Sequence, residues 1–331
     1  AYRPNRVLSA DWSQPDRAAI SIDNVVWTQT EKCAKQDGVA VYTIEAPAKS
    51  FWLAWGPPFL PSHAEEVLNA VKNKLSHATI FELAKTRGGR SVRGIRIGSA
   101  SETDSPRYGV WVQARQHAWE AGSSWVGRGF IEWLASDDQA AIDLRRIATV
   151  YYVPIMDVDN VALGAGGKDA VPRDHNRDWD DKPHYPEVAA AQKRILQLNA
   201  EQRFDVFVDL HNPGGGERRP YFFGPINLDK LPSIQQQNHA RWLAISKTAI
   251  SGPLELEPRY KFATYVRTEE ERNRMSANWV RNHTAKHVLS TTLETVWNTP
   301  HSTQKGYMTV GAQLGHVVSR YLRSNPRGAD K

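Results

Sequence analysis

Apolar and polar positions alternate through AAISIDNVVWTQ and GVAVYTIEA, with the turn-like KQDG between them, so residues 1–48 predict short antiparallel strands. A stretch this short cannot bury a core of its own; it is expected to be a partial β-domain or an added edge packed on a main domain over 49–331. Beyond FWLAWGPPF the period changes. HAEEVLNAVKNKL carries apolar residues at helical spacing, TRGGRSVRGIRIG reads as a turn and then a strand, and RYGVWVQAR as an apolar strand. DDQAAIDLRRIA (helix), TVYYVPIM (strand), PEVAAAQKRILQLNA (helix), FDVFVDL (strand) and the apolar strand KHVLSTTLETVWN continue the alternation. This pattern predicts an α/β fold: a mixed, mostly parallel sheet with helices on both faces, preceded by a short N-terminal β region. Internal repeats and low-complexity segments are absent from the sequence.

Composition narrows the function. The 331 residues are 40% hydrophobic and 24% charged, as in ordinary globular proteins. The net charge of +6 is scattered among acidic residues without a basic tract, so no nucleic-acid partner is expected. No apolar run approaches the roughly 18 residues needed to cross a bilayer. No signal peptide is visible and the chain begins with Ala, so a soluble protein is expected, either cytoplasmic or exported with its leader removed. A single cysteine, Cys33, excludes an internal disulfide framework and a cysteine-built zinc site, leaving histidine and carboxylates to hold any metal.

In open α/β sheets, chemistry collects where apolar strands run out into polar loops. One such end carries His117 and Glu120, three apart, which can converge on one ion. In a chain with 11 His, that pair alone reads more readily as a solvated turn. A second end carries Asp209 and His211, followed by the glycine loop 214–216; His211 offers a third ligand, or simply caps its strand. Between them RDHNRDWD places Asn176 and Arg177 among aspartates, a pairing suited to bidentate recognition of a carboxylate, and Asp174 can orient a ligand histidine through its second ring nitrogen. The competing reading is a surface loop with local ion pairs. Glu294, the one carboxylate in its apolar strand, should point into a polar pocket. His283 and His287, four apart without a completing carboxylate, read as structural; Asp157 and Asp159 read as turn-forming, and most of the 12 Trp as core.

In chain order, His-x-x-Glu (His117, Glu120), Asp-x-Asn-Arg (Asp174, Asn176, Arg177), the late His211 and the strand-ending Glu294 resemble the zinc carboxypeptidases of the carboxypeptidase A-like class. FWLAWGPPF and QHAWEAGSSWVGRGFIEWL look most like the cytosolic-carboxypeptidase branch, whose members carry a small β-domain before the catalytic one; the resemblance covers roughly 48–325. It implies zinc held by His117, Glu120 and His211, with Glu294 as general base. It also implies that Arg177, helped by Asn176, clamps the C-terminal carboxylate of a peptide or protein substrate. Two departures stand out. Gly167 and Lys168 occupy the place of an oxyanion-stabilising arginine, so Lys168 is expected to substitute for it. RTEEERNRMSANWV lacks the branch's closing tyrosine, which leaves Tyr265 as the nearest. The same zinc site would also serve an amidohydrolase acting on N-acyl amino acids or peptidoglycan stem peptides, and the fold alone would serve a non-catalytic binding protein. For the terminal residue, Arg272 and Arg274 favour an acidic side chain and Met275 and Trp279 an apolar one; the basic chain and the branch's frequent removal of glutamate tilt the expectation to acidic.

Overall fold

A computed structural model describes residues 14–98, 107–213 and 215–328. Five short strands come first: β1 (Ala19–Ser21), β2 (Thr28–Gln29), β3 (Ala34–Gln36), β4 (Val39–Val41) and β5 (Trp52–Ala54). β3 and β4 form a hairpin closed by Asp37 and Gly38, both at positive φ (49° and 77°), the backbone that a two-residue hairpin turn demands. β1 pairs antiparallel with both β2 and β5, so this small sheet takes in residues on either side of position 48. The start of the chain, residues 1–13 of the expected β region, lies outside the described residues.

Seven longer strands build the main sheet: β6 (Ala78–Lys85), β7 (Ser91–Ile97), β8 (Tyr108–Ala114), β9 (Ala148–Val153), β10 (Val206–His211), β11 (Tyr221–Phe223) and β12 (Leu289–Glu294). Their spatial order is β11-β12-β10-β8-β9-β7-β6. The four central strands are mutually parallel; β11 at one edge and β7 on the other side run antiparallel to them, and the edge strand β6, antiparallel to β7, returns to their direction. Every residue of β8, β9, β10 and β12 is buried, which explains the largely apolar runs of β8, β9 and β10: a parallel sheet covered on both faces has no polar side. β6, half exposed at the edge, has no counterpart among the strands read from the pattern.

The helices are α1 (Pro61–Lys74), α2 (Ala121–Leu134), α3 (Gln139–Ile147), α4 (Val158–Leu163), α5 (Pro186–Ala200), α6 (Ser233–Ala249), α7 (Glu269–Asn273), α8 (Ser276–His283) and α9 (Gln304–Arg323). They lie on both faces: α8 meets Ser290 of β12, whose hydroxyl donates to Ala277 O at 2.7 Å, while Trp242 of α6 packs on Phe222 of β11, which points the other way from its neighbours. α2 and α9 touch backbone to backbone. A Cβ at Gly129 would lie 2.1 Å from Met308 O, and one at Gly311 would lie 1.9 Å from Val126 O, so only glycine permits this crossing. Among the described residues no helix is long and apolar enough to cross a membrane.

Candidate metal centre and active site

β8 ends at Ala114, and Arg115 turns the chain sharply with a positive φ of 66°. Its buried guanidinium holds the following loop by donating to Ala118 O at 2.7 Å and Phe59 O at 3.1 Å. The His117–Glu120 spacing closes as a tight turn, Glu120 N donating to His117 O at 3.1 Å, immediately before α2 rather than inside it. Helices begin with unsatisfied N–H groups; here Asn212, next to His211, accepts from Ser123 N at 2.8 Å. That bond ties the loop after β8 to the loop after β10. It delivers His211 to the same spot.

Glu120 bridges the two imidazoles: Oε1 is 2.7 Å from His117 Nδ1 and Oε2 is 2.7 Å from His211 Nδ1. The three candidate donor atoms lie within 4.8 Å of one another, and all three residues are buried. Each imidazole turns its other nitrogen to a carboxylate: His117 Nε2 is 3.1 Å from Asp174 Oδ1, and His211 Nε2 is 2.9 Å from Asp209 Oδ2. Asp209 is in turn a hub, accepting from Gln113 Nε2 at 3.4 Å and also from Gln116 and Ser276. Trp179 Nε1 locks Gln116 by donating to its Oε1 at 2.7 Å.

These contacts fix the charges. Burial works to raise the Glu120 carboxyl, but His117 and His211 outweigh it and hold it well below the ordinary range. Burial likewise opposes protonation of His211, yet Asp209 and Glu120 raise it well above the usual imidazole range. Such a negatively biased cluster is suited to a cation. Two imidazole nitrogens and one carboxylate oxygen, each imidazole oriented through its second nitrogen, match the donor set of a zinc site that keeps a position open.

Glu294 ends β12 in register with His211 on the parallel neighbour β10. Among the described residues its buried Oε2 has no hydrogen-bond partner, and burial, reinforced by Glu120 and Asp209 against the opposing His211 and Lys168, pushes its carboxyl up to about 8. Lys168 reaches the same place, with Nζ 3.1 Å from His117 Nε2. The preceding Gly167 (φ 80°) has no room for a side chain, because a Cβ there would lie 2.7 Å from Ala118 N. Residues His175–Arg177 form a single 3-10 turn. Asn176 faces inward: its Oδ1 accepts from Ser276 N at 2.9 Å, and its Nδ2 stands 3.5 Å from His211 Nε2. Arg177 faces outward and, with Arg173, Tyr265, Val266, Glu271 and Arg274, lines a cleft of about 320 Å³. The structure therefore brings Tyr265, 62% exposed, to the same cleft as Arg177.

Arg274 lines the Arg177 cleft, and Arg272 lines a second pocket of about 200 Å³ together with Arg281, Met275, Ser290 and Thr292. Trp279 is a core residue packed against Trp179, so it offers no apolar wall to a ligand; Met275 is buried against Ala263 and Val266. His283 bonds Trp279 O at 2.8 Å and His287 lies 3.4 Å from Asp205, both away from the metal cluster. Asp157 caps α4 through Asn160 N, and Asp159 gathers Thr86, Gly88 and Arg90 into a turn. Of the glycine loop, Gly214 lies outside the described residues.

The sequence reading did not find the Asp209 hub, Gln116, Ser276, Asn212 or Arg115. Nor did it find an aromatic trio beside the centre. Trp55, Trp119 and Trp297 touch pairwise, with ring centroids 5.1 Å (Trp55–Trp119), 5.5 Å (Trp55–Trp297) and 5.0 Å (Trp119–Trp297) apart.

The sequence pattern of the zinc carboxypeptidases matches residues 64–295. Cytosolic carboxypeptidase 2 of Danio rerio is 27% identical over 229 residues, which cover 65% of this chain and 32% of that protein. Cytosolic carboxypeptidase 6 of Caenorhabditis elegans is 29% identical over 157 residues, covering 45% of this chain and 33% of that protein. The chain thus spans about a third of the length of these relatives. The crystal structure of a metallo-carboxypeptidase from Burkholderia cenocepacia shares the fold, with a TM-score of 0.80 at 22% identity over 96% of this chain and 83% of that one.

Proposed function

The chain belongs to the zinc carboxypeptidase family, and from that premise we propose that it is a zinc-dependent metallocarboxypeptidase that releases the C-terminal residue of a peptide or protein. The observation that carries this reading is the unpartnered Glu294 carboxyl, set in register with His211 beside the His117, Glu120 and His211 donors. His117, Glu120 and His211 would hold the zinc, which would supply Lewis acidity toward a water molecule and a carbonyl. The chain's own residues do the rest. Asp174 and Asp209 hold the two imidazoles in the orientation that presents Nδ1. Glu294 takes the proton of the attacking water and passes it to the leaving amine.

Arg177 pairs its guanidinium fork with the terminal carboxylate, so that only the last peptide bond reaches the centre. Asn176, whose amide oxygen is taken by Ser276, contributes through its amino group. Tyr265, at the open side of the same cleft, closes over the bound residue. Lys168 brings a positive charge beside His117 in place of the absent arginine, as a point charge rather than a fork. Arg274 in this cleft and Arg272 in the neighbouring pocket support an acidic terminal residue. The same reading divides the chain into an N-terminal β region over 1–48 and a catalytic domain over 49–331, with β5 extending the small sheet past that boundary.

The test is a release assay on zinc-loaded protein with peptides that differ only in the last residue, each with a free and an amidated C-terminus. Release only from free termini, weakened in Arg177→Lys and further in Arg177→Ala, supports the clamp. Equal release from amidated peptides overturns it and favours an amidohydrolase. No release of any residue by fully loaded protein favours a binding protein.

A further inference from the structure

Among the described residues, Oε2 of Glu294 is buried without a hydrogen-bond partner, and the Tyr221 phenol on the neighbouring strand feels the Glu294 charge. β11 runs antiparallel to β12, and the register sets Tyr221 directly opposite Glu294. Side chains of directly opposite residues leave the sheet on the same face, with Cβ atoms about 4.5 to 5.5 Å apart. Phe223, two residues on, lies on that face too, its ring centroid 5.2 Å from that of Tyr221 and 6.4 Å from that of Tyr265. Tyr221 thus stands in an aromatic row that leads from the reacting centre to the Arg177 cleft.

Everything about Tyr221 except its hydroxyl is fixed. The residue is 4% exposed, and Lys261, paired with Glu217, places its Nζ 4.3 Å from the ring centroid. Phenylalanine would fill the same space without bringing a polar group into it. Burial, and then the nearby Glu294 charge, raise the phenol well above its usual range, so it stays protonated and acts as a donor. Of the other donors at the centre, the Lys168 ammonium is engaged with His117 Nε2 and the Asn176 amino group stands 3.5 Å from His211 Nε2.

We propose that Tyr221 is a further catalytic residue of this site, its hydroxyl donating a hydrogen bond to the carbonyl oxygen of the scissile peptide bond as that oxygen takes on negative charge. This assignment rests on the carboxypeptidase reading. A donor that acts on developing charge stabilises the transition state more than the bound substrate, so its loss lowers kcat rather than raising KM.

The experiment compares zinc-loaded parent and Tyr221→Phe on the best substrate of the peptide panel, with zinc content and thermal midpoint measured for each. The expected result is a fall in kcat of roughly 10²-fold with KM, zinc content and midpoint unchanged. A phosphinate peptide mimicking the tetrahedral stage should bind more weakly by a similar factor, while the released amino acid binds as before. An active parent with an equally active Tyr221→Phe, or a variant that changes only KM, overturns the Tyr221 assignment and leaves the carboxypeptidase reading standing. A parent that releases nothing overturns both. If Tyr221→Phe folds poorly, ring-fluorinated tyrosine at 221 alters only donor acidity, and a kcat that ignores it refutes the role.

Discussion

Replacing Asp209 by Asn should weaken zinc binding and destabilise the metal-free protein, and the structure sets the size of both effects. Asp209 is fully buried and receives four donors: His211 Nε2 at 2.9 Å, Gln113 Nε2 at 3.4 Å, Gln116 Nε2 and Ser276 Oγ. An asparagine of the same shape offers one acceptor oxygen and one amino group, so some of these donors would meet another donor. Each buried donor left unpaired costs about 1–3 kcal/mol, and two of them bring the loss to roughly 2–6 kcal/mol. A carboxylate that orients a ligand histidine is typically worth about 10–100-fold in metal affinity, roughly 1.4–2.7 kcal/mol. Asp174→Asn is the internal comparison. Asp174 plays the same part for His117, but its one side-chain hydrogen bond among the described residues is His117 Nε2 at 3.1 Å. Asp174→Asn should therefore match Asp209→Asn in lost zinc affinity while costing only about 1 kcal/mol of stability. Competition against a chromophoric chelator measures the first quantity, and urea unfolding of the metal-free proteins the second. Parental zinc affinity in Asp209→Asn, or equal stability loss in the two variants, would refute the reasoning.

Three further predictions concern single positions. His211→Ala should lose zinc outright, since two protein ligands remain; stoichiometric metal after dialysis against a mild chelator would remove His211 from the ligand set. Glu294→Gln should retain zinc and fold while kcat falls by roughly 10² to 10⁴, the usual cost of losing a general base, and a parental rate would place the base elsewhere. His239 of α6 predicts an acid limb: burial, with a smaller push from Arg281, lowers its imidazole from 6.5 to about 3. Below pH 6.5 the unfolded chain binds a proton that the folded protein refuses. Stability should therefore fall as pH drops from about 6.5 towards 3, by up to about 1.4 kcal/mol per pH unit. Urea midpoints against pH should show this slope in the parent and a shallower one in His239→Gln; identical slopes would assign the limb to other groups.

Most of the sheet could be read from sequence because strands are written locally: a continuous apolar run marks a strand covered on both faces. The candidate metal cluster was legible only through the order of its motifs along the chain, since His117 after β8 and His211 after β10 each read, alone, as a turn or a strand cap. Features that depend on register or on distant partners were not legible. Asp209 looks like any strand residue until Gln116 and Ser276 arrive from elsewhere. Tyr221 sits in an ordinary aromatic triplet, and only pairing with β12 sets it against Glu294. Asn176 and Arg177 are neighbours in sequence, yet one 3-10 turn sends the first inward and the second out to the cleft. Trp279 had looked available as an apolar pocket wall, but the short helix α8 turns it into the core.

The trio of Trp55, Trp119 and Trp297 gives this protein a native optical label. Trp119 immediately precedes the candidate ligand Glu120, Trp297 follows Glu294 by three residues, and Trp55 is delivered by the segment that leads out of the small sheet. Indoles in such contact at steep mutual angles share their excitation, and near-ultraviolet circular dichroism is sensitive to the angles between them. A dichroic band from this trio would report on the seating of the N-terminal segment and on the packing beside the metal cluster together.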